Sequence, residues 1–213
     1  MNEPLFKLDD VRVHDFLYIP YLVLEPIKTT TLVGESGGGK TTILRLLNKM
    51  SSPTQGTVYY QGTDLKTIDP VTHRRNVVML SQSPVVFDGT IRENLLVGIR
   101  FQEKPIPSDE QLRLSLAQVS LKKSLDGPTK TLSGGEKQRL SLARILLLDP
   151  PVFLLDEPSS ALDDITGEMI IQMLISCVRD RKKTIIMVTH SRKLAETYSD
   201  EVIGISNGTR GNQ

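Results

Sequence analysis

Short apolar runs alternate with longer amphipathic stretches along most of the chain. Strands are predicted at Thr29–Val33, Asn76–Leu80, Pro151–Leu155, Thr184–Val188 and Glu201–Ile205. The runs VFLL and IIMV, in the third and fourth of these, are almost wholly apolar, as expected for strands covered on both faces. Ile165–Val178 repeats apolar residues at helical spacing, and a helix is also predicted at Thr41–Met50. This alternation predicts a mostly parallel sheet whose strands are joined by crossover helices.

Two regions depart from that pattern. Leu5–Val13 alternates between apolar and polar residues, which predicts an antiparallel strand with one exposed face. Residues 84–131 contain several prolines, a charged loop and helical pieces at Thr90–Leu96 and Asp109–Ser120. The second piece is preceded by a Ser-x-x-Gln capping box. The pattern predicts a small helical insertion.

We therefore predict one domain over residues 1–213. Its α/β core comprises residues 1–83 and 132–213, and the helical insertion occupies residues 84–131. A chain of this length with 38% hydrophobic residues is long enough to bury one core.

Composition argues against several classes of function. The net charge of +1 argues against sequence-independent nucleic-acid binding. A single cysteine, Cys177, excludes an internal disulfide and a thiolate metal cluster. The N-terminal residues do not have the pattern of a signal peptide, and no apolar run approaches the length of a membrane-spanning helix. We expect a cytosolic chain, so that any membrane part would come from another subunit.

A glycine-rich segment follows the predicted strand Thr29–Val33 and matches the phosphate-loop pattern G-x-x-x-x-G-K-[ST] without a mismatch. Glycines let backbone N–H groups close around phosphate oxygens, and the following helix adds positive potential at its start. Lys40 would supply most of the charge compensation together with Mg²⁺, and Thr41 offers a hydroxyl to the metal. The predicted nucleotide-binding residues of this segment are Gly34, Glu35, Ser36, Gly37, Gly38, Gly39, Lys40, Thr41 and Thr42.

An acidic pair ends the apolar strand PVFLL. Asp156 would stand at the strand's carboxyl end, where ligands of open α/β sheets bind, and one carboxylate there holds Mg²⁺ through water. The next residue, Glu157, is placed to orient or deprotonate an attacking water. The predicted metal-binding residues are Thr41, Asp156 and, through the resemblance described below, Gln82.

A second glycine-rich segment, LSGGEKQR at residues 132–139, precedes that strand. Ser133 followed by two glycines offers a hydroxyl and unshielded N–H groups, and a helix is predicted from Glu136 onward. The chain thus has two anion-binding segments but one evident nucleotide pocket.

The phosphate loop, LSGGEKQRLSLAR, LLDEPSSALD and VTH occur in this order, and together they resemble the nucleotide-binding subunit of an ATP-binding cassette (ABC) protein. The resemblance covers nearly the whole chain. It implies a P-loop NTPase fold with a RecA-like, mostly parallel core, an N-terminal antiparallel β subdomain and an inserted helical subdomain. Its cofactors would be ATP and Mg²⁺.

The resemblance also assigns roles. Gln82 matches the glutamine loop that touches Mg²⁺ and the attacking water, Glu157 the catalytic glutamate, and His190 the switch histidine that contacts the γ-phosphate. The signature residues, which would bind the ATP of an opposite subunit, are Ser133, Gly134, Gly135 and Glu136. The D-loop, which communicates across a dimer, comprises Ser160, Ala161, Leu162 and Asp163. Apart from its motif, Asp163 could simply cap the helix near Ile165.

The aromatic residue that stacks on adenine is not at its usual place in this sequence. Members usually stack adenine on an aromatic residue shortly after the first strand, but here Asp15 occupies the usual place. Phe16 and Tyr18 are the candidates, and we choose Phe16. The segment before the phosphate loop, LEPIKTTTLVG, also lacks the usual Gly-Glu turn.

The leading hypothesis is a transporter ATPase that forms a head-to-tail homodimer around two MgATP molecules and drives a separate membrane permease at the inner face of the membrane. The segment SQSPVVFDGTIRENL most resembles small ATPases of metal exporters, iron exporters among them. DNA-repair members carry long coiled coils or zinc modules, and ribosomal members usually carry two cassettes; the chain has neither. A soluble ABC-type ATPase in iron–sulfur assembly, or in another non-transport process, is the alternative.

Overall fold

The computed structural model describes residues 3–206 and 209–211. Its strands, in chain order, are β1 (Phe6–Val13), β2 (Leu17–Leu24), β3 (Thr29–Val33), β4 (Gln55–Tyr60), β5 (Thr63–Asp64), β6 (Val77–Leu80), β7 (Val152–Asp156), β8 (Thr184–Val188), β9 (Glu201–Ser206) and β10 (Thr209–Gly211). The α-helices are α1 (Lys40–Leu47), α2 (Pro70–Asn76), α3 (Ile91–Phe101), α4 (Asp109–Gln118), α5 (Gly134–Leu148), α6 (Asp164–Asp180) and α7 (Arg192–Tyr198). Short 3-10 helices occupy Leu65–Thr67 and Thr129–Thr131.

The chain divides into two compact units. The first comprises Met1–Met79, Pro151–Glu157 and Ile175–Gln213, and the second comprises Leu80–Pro150 and Pro158–Leu174. The second unit contains the predicted insertion together with the signature helix α5 and the D-loop, which the sequence had placed in the core. The predicted boundaries therefore differ from this division, and the subdivision of the domain stays a prediction.

The predicted phosphate loop and acidic pair of the first unit follow strands of a six-stranded sheet, whose order is β10-β9-β3-β8-β7-β6. β3 runs parallel to β8 and β9, and β7 runs parallel to β8. Every residue of β7 and β8 is buried, as predicted for strands covered on both faces. Because these strands are parallel, the carboxyl ends of β3, β7 and β8 lie at the same edge.

A four-stranded antiparallel sheet in the order β2-β1-β4-β5 completes the first unit and confirms the predicted N-terminal β subdomain. β1 alternates as predicted, with Phe6, Leu8 and Val11 buried. Their side chains join one core cluster with Leu44 and Leu47 of α1. The core therefore fixes α1, which follows the phosphate loop, against apolar residues of the antiparallel sheet.

The second unit is helical. α3 and α4 both pack on α5, and both begin with a capping box, Thr90 with Glu93 and Ser108 with Gln111. The structure thus has a helix at each of the two predicted positions, Thr90–Leu96 and Asp109–Ser120. Within residues 3–206 and 209–211, no helix is both long enough and apolar enough to cross a membrane.

Several boundaries differ from the prediction for local reasons. The helix predicted at Thr41–Met50 ends at Leu47, because Lys49 has a left-handed φ of 57°. The strand predicted from Asn76 begins one residue later, because Asn76 closes α2, a helix that the prediction missed. α2 did carry a start signal, since Asp69 caps it and Pro70 follows at its first position.

Candidate nucleotide-binding site and signature segment

The phosphate loop connects β3 to α1, as predicted. Gly39 precedes α1 with φ 89°, and no side chain caps the helix start. The first turn of α1 also contains no acidic residue. The start of α1 therefore presents backbone N–H groups and the positive end of the helix dipole, an arrangement suited to phosphate.

Two loop glycines are required by close approach of neighbouring atoms. A Cβ on Gly34 would lie 2.0 Å from the carbonyl oxygen of Ile205. A Cβ on Gly39 would lie 2.8 Å from Cδ1 of Leu17. Gly37 has φ 79° but open space around it, so only its backbone angle favours glycine.

Lys40 reaches back over the loop. Its side chain is buried, and Nζ donates hydrogen bonds to the carbonyl oxygens of Gly34 at 2.9 Å and Glu35 at 2.6 Å. The ammonium is thereby held on the same loop whose N–H groups face a phosphate. Glu35 and Ser36 are exposed, whereas Thr41 and Thr42 are half-buried in α1.

Thr41 and Asp156 come together at the edge of the sheet. The Thr41 hydroxyl donates to Oδ1 of Asp156 at 3.0 Å, and Asp156 is only 3% exposed. In the part of the chain that the structure describes, no cluster of three or more His, Cys, Asp or Glu could hold a metal. One hydroxyl and one carboxylate fit Mg²⁺, which keeps several waters and shares its remaining ligands with substrate phosphates.

Glu157 follows in a left-handed conformation, with φ 48°. Its backbone N–H donates to Val188 at the end of β8, and its carboxylate lies 3.3 Å from Nε2 of His190. Burial raises the pKa of the Glu157 carboxyl, and Asp156 adds to that rise, whereas His190 and Lys40 oppose it. A carboxylate with a raised pKa is a stronger base toward water.

Phe16 lies in the turn between β1 and β2 and is 50% exposed. Its neighbour Leu17 is buried against Gly39 of the phosphate loop. The ring of the alternative candidate, Tyr18, is covered by the Arg12 guanidinium, whose central carbon lies 3.9 Å from the ring centroid. The geometry favours Phe16 over Tyr18 as a free aromatic face beside the loop.

The signature segment lies in the second unit. α5 begins at Gly134, two residues earlier than predicted, because Ser133 is its N-cap. Ser133 accepts from the backbone N–H of Glu136, and the Glu136 carboxylate accepts from the Ser133 N–H at 2.9 Å. Lys123 pairs with Glu136 at 2.9 Å. Ser133 and Gly134 are exposed, and a Cβ on Gly134 would meet nothing within 4 Å.

The D-loop, Ser160–Asp163, contacts the signature helix within the same unit. A Cβ on Gly135 would lie 3.1 Å from the carbonyl oxygen of Ala161 and 3.3 Å from Leu162. The buried Gln138 donates to the carbonyl oxygen of Pro158 at 3.0 Å. Asp163 accepts from the Thr166 N–H at 3.0 Å, which confirms that it also caps α6.

Gln82 is exposed, two residues beyond β6. Sequence reasoning missed the side chains that support the segment after it. Asn94 is buried and exchanges two hydrogen bonds of 2.9 Å with the backbone of Phe87, and Arg144 donates to Val85 at 3.0 Å. The one available signal was a polar Asn94 beside apolar residues in a predicted helix.

The predicted site residues thus form two groups. The structure brings the phosphate loop, Asp156, Glu157 and His190 together at one edge of the parallel sheet in the first unit. Gln82, the signature residues and the D-loop belong to the second unit.

Comparisons with known proteins identify the family to which this chain is similar. A family model described as ABC transporter matches residues 21–160. Protein STAR1 of rice (Oryza sativa subsp. japonica) is 40% identical over 172 residues, which cover 80% of this chain and 49% of STAR1. The mycobactin import ATP-binding/permease protein IrtB of Mycolicibacterium thermoresistibile is 38% identical over 221 residues, which cover 96% of this chain and 37% of IrtB. The chain therefore spans about half the length of the first relative and little more than a third of the second.

Among solved structures, the fold resembles a dimeric post-hydrolysis state of the ATP-binding cassette MJ0796 bound to ADP and Pi. The TM-score is 0.84 at 26% identity, and the match covers 97% of each chain.

Proposed function

Because the chain belongs to the ABC transporter family and contains its ATP-hydrolysing domain, we propose that it drives a separate membrane permease by binding and hydrolysing ATP. The observation that carries the proposal is the meeting of three features in the first unit. These are the Lys40 loop, the Thr41–Asp156 pair and the Glu157–His190 pair.

ATP would bind with its phosphates on the N–H groups of the loop and on Lys40. Thr41 and Asp156 would hold Mg²⁺, and the metal would neutralise charge on the phosphate oxygens. Phe16, half-exposed beside the loop, would stack on adenine.

Glu157 and His190 would act on the attacking water and the γ-phosphate. The raised pKa of Glu157 suits it to orient the water and accept its proton. His190 faces Glu157 through both its ring and its backbone N–H, and its side chain is 55% exposed, so it is placed to contact a phosphate oxygen.

We also propose that ATP joins two copies head to tail. Ser133 and Gly134 open α5 on an exposed surface, where the helix N-terminus suits a phosphate of a second chain. A closed dimer under two-fold symmetry would place each signature segment on the ATP of its partner. The MJ0796 cassette, which matches almost end to end, is described as dimeric.

The permease and the location follow from this proposal. The chain would be attached to the inner face of the membrane through a separate permease, with the cassette fold that it shares with MJ0796 as the ATP-hydrolysing part. IrtB is named an ATP-binding/permease protein, so the fused arrangement occurs among relatives. Metal export stays a prediction from the segment SQSPVVFDGTIRENL.

The Glu157→Gln variant tests the enzymatic part. Removing the base should lower ATP turnover by about two to three orders of magnitude while ATP still binds. The trapped species should elute as a dimer on size-exclusion chromatography with MgATP. Glu196→Gln, on an exposed position of α7, is the matched control and should turn over like wild type. A variant that binds ATP and remains monomeric at high protein concentration would refute the dimer scheme.

Capture from membranes tests the transport part. Tagged wild-type protein should retain a multi-spanning partner in detergent extracts, and a neighbouring reading frame should encode it. Recovery of soluble iron–sulfur assembly proteins instead would favour the non-transport alternative.

A further inference from the structure

The end of α1 that lies away from the phosphate loop is held by a second set of contacts. α1 has eight residues, so it is roughly 12 Å long. The three residues at its end, Leu47, Asn48 and Lys49, all bind the segment Leu65–Val77. We call these contacts the α1 clamp.

His73 of α2 is the buried member of the α1 clamp. It is 1% exposed, and its Nε2 lies 2.7 Å from the carbonyl oxygen of Leu47. Because a carbonyl only accepts, Nε2 carries the hydrogen. The other ring nitrogen, Nδ1, is buried without a hydrogen-bond partner. The ring is therefore neutral, since a proton on Nδ1 would be a buried donor with no acceptor.

The other contacts of the clamp are charged or amide donors. Lys49 Nζ donates to Leu65 at 2.7 Å, to Lys66 at 3.0 Å and to Ile68. Arg74 donates to the Lys49 carbonyl at 3.3 Å. The Asn48 amide donates to the carbonyl oxygen of Val77, the first residue of β6. The clamp thus satisfies the carbonyls of Leu47 and Lys49 at the end of α1, and its remaining bonds go to carbonyls of the segment Leu65–Val77.

The groups around His73 disfavour its protonation. Its ring lies 4.9 Å from the Tyr60 ring and 6.4 Å from the Phe6 ring, both edge-on. Burial lowers the pKa of His73, and the cations Lys49 and Arg74 lower it further, whereas the hydrogen bond to Leu47 opposes them. The titratable groups that face the ring are Tyr60 of β4, Lys49 after α1 and Arg74 of α2.

We propose that His73 is a positioning residue for ATP binding, whose neutral ring fixes the far end of α1 and thereby the position of the phosphate loop at the near end. A helix of two turns that packs on β7 and β8 moves as one piece, so release of Leu47 would tilt Gly39 and Lys40. The inference rests on the proposed nucleotide-binding function of that loop.

Protonation of His73 would keep the bond from Nε2–H to Leu47 but would bury a charge and an Nδ1–H donor that has no acceptor. A histidine whose folded pKa is depressed stabilises the fold above its unfolded pKa of about 6.5, and this contribution is lost as the pH falls toward the folded value. The free energy of unfolding should therefore fall below about pH 6.5, whereas the ring in the folded protein stays neutral there and continues to hold Leu47.

Two substitutions separate the hydrogen bond from the packing. His73→Leu removes the donor but fills the space, whereas His73→Gln places an amide N–H near the position of Nε2 and does not titrate. Both are made in Glu157→Gln protein, so that hydrolysis is slowed by about two to three orders of magnitude and that carboxyl does not titrate. Affinity is measured with a fluorescent ATP analogue, and the free energy of unfolding with urea, from about pH 5.5 to 8, which brackets the ordinary histidine pKa.

At about pH 7.5, well above the ordinary histidine pKa, His73→Leu should bind the analogue about fivefold to tenfold more weakly and His73→Gln within about twofold of the parent. Below about pH 6.5 the free energy of unfolding of the parent should fall more steeply than that of His73→Gln. His14→Gln, at an exposed turn, should follow the parent at every pH.

Urea denaturation confirms that each variant is folded. A folded His73→Leu protein with parental affinity would overturn the proposal, as would a His73→Gln protein that binds as weakly as His73→Leu. The same dependence of the unfolding free energy on pH in the parent and in His73→Gln would contradict the neutral ring. A parent that binds no ATP at any pH would instead overturn the proposed function itself.

Discussion

At Gly39 the phosphate-loop helix begins on a residue with no side chain, whereas at Ser133 the signature helix begins on a hydroxyl that accepts the amide proton of Glu136. The loop before α1 depends on glycines with positive φ angles and on close approach of neighbouring atoms. Its cation, Lys40, is buried and donates hydrogen bonds to carbonyls of the same loop. The start of the signature helix uses a capping box and stays exposed.

The difference indicates what each segment needs for its role. The phosphate loop depends on glycine for its fold as well as for ligand access, since atoms of Ile205 and Leu17 fill the space of two missing side chains. In the signature segment Gly134 has open space and no positive φ, so none of the residues that the structure describes requires glycine there. A requirement for Gly134 would therefore come from a ligand outside this chain.

The largest effect should follow Gly34→Ala. Its Cβ would lie 2.0 Å from a backbone oxygen at φ 152°, so we expect a loss of at least about 3 kcal/mol in the free energy of unfolding by urea. Gly37→Ala, with open space at φ 79°, is the control and should lose about 1–2 kcal/mol. Equal losses would show that close approach does not distinguish the two positions.

Lys40→Ala should act on binding. Loss of the buried ammonium should weaken ATP affinity by about a hundredfold in calorimetry, because its Nζ is the charge that the carbonyls of Gly34 and Glu35 hold beside the loop N–H groups. Lys123→Ala, which removes the half-exposed partner of Glu136, should leave affinity within about twofold. Unchanged ATP affinity of Lys40→Ala would contradict its assigned role.

The smallest but most discriminating effect belongs to Gly134→Ala. Unfolding free energy should change by no more than about 0.5 kcal/mol, yet ATP turnover should fall about tenfold because a methyl group would crowd the partner's phosphate. Gly135→Ala should also destabilise the fold, since its Cβ would lie 3.1 Å from the carbonyl oxygen of Ala161. Wild-type turnover of Gly134→Ala would remove the signature segment from the catalytic scheme.

Residues with a local signature were predictable. The strands VFLL and IIMV, the phosphate loop, and the Ser108–Gln111 capping box all follow from short-range pattern and backbone chemistry, and the structure has them where the sequence placed them. The antiparallel strand β1 follows from its alternation, and the meeting of Thr41 with Asp156 follows from parallel strands ending at one edge.

Features set by distant contacts were not predictable. Nothing near His73 in sequence indicates that it would be buried against Leu47, or that Arg144 would support Val85. The early end of the first helix depends on Lys49, whose side chain binds carbonyls 16 to 19 residues away. Such contacts depend on tertiary packing, which cannot be read from the secondary-structure propensities of the residues.

The second unit is built from two stretches of sequence, Leu80–Pro150 and Pro158–Leu174, and this matters for recombination between related cassettes. A crossover between the two stretches would join a signature helix from one parent to a D-loop from another. Gln138 and Pro158, and Gly135 and Ala161, would then come from different lineages. Grafts that exchange this unit should therefore carry both stretches from one donor and leave the intervening strand β7 with its host.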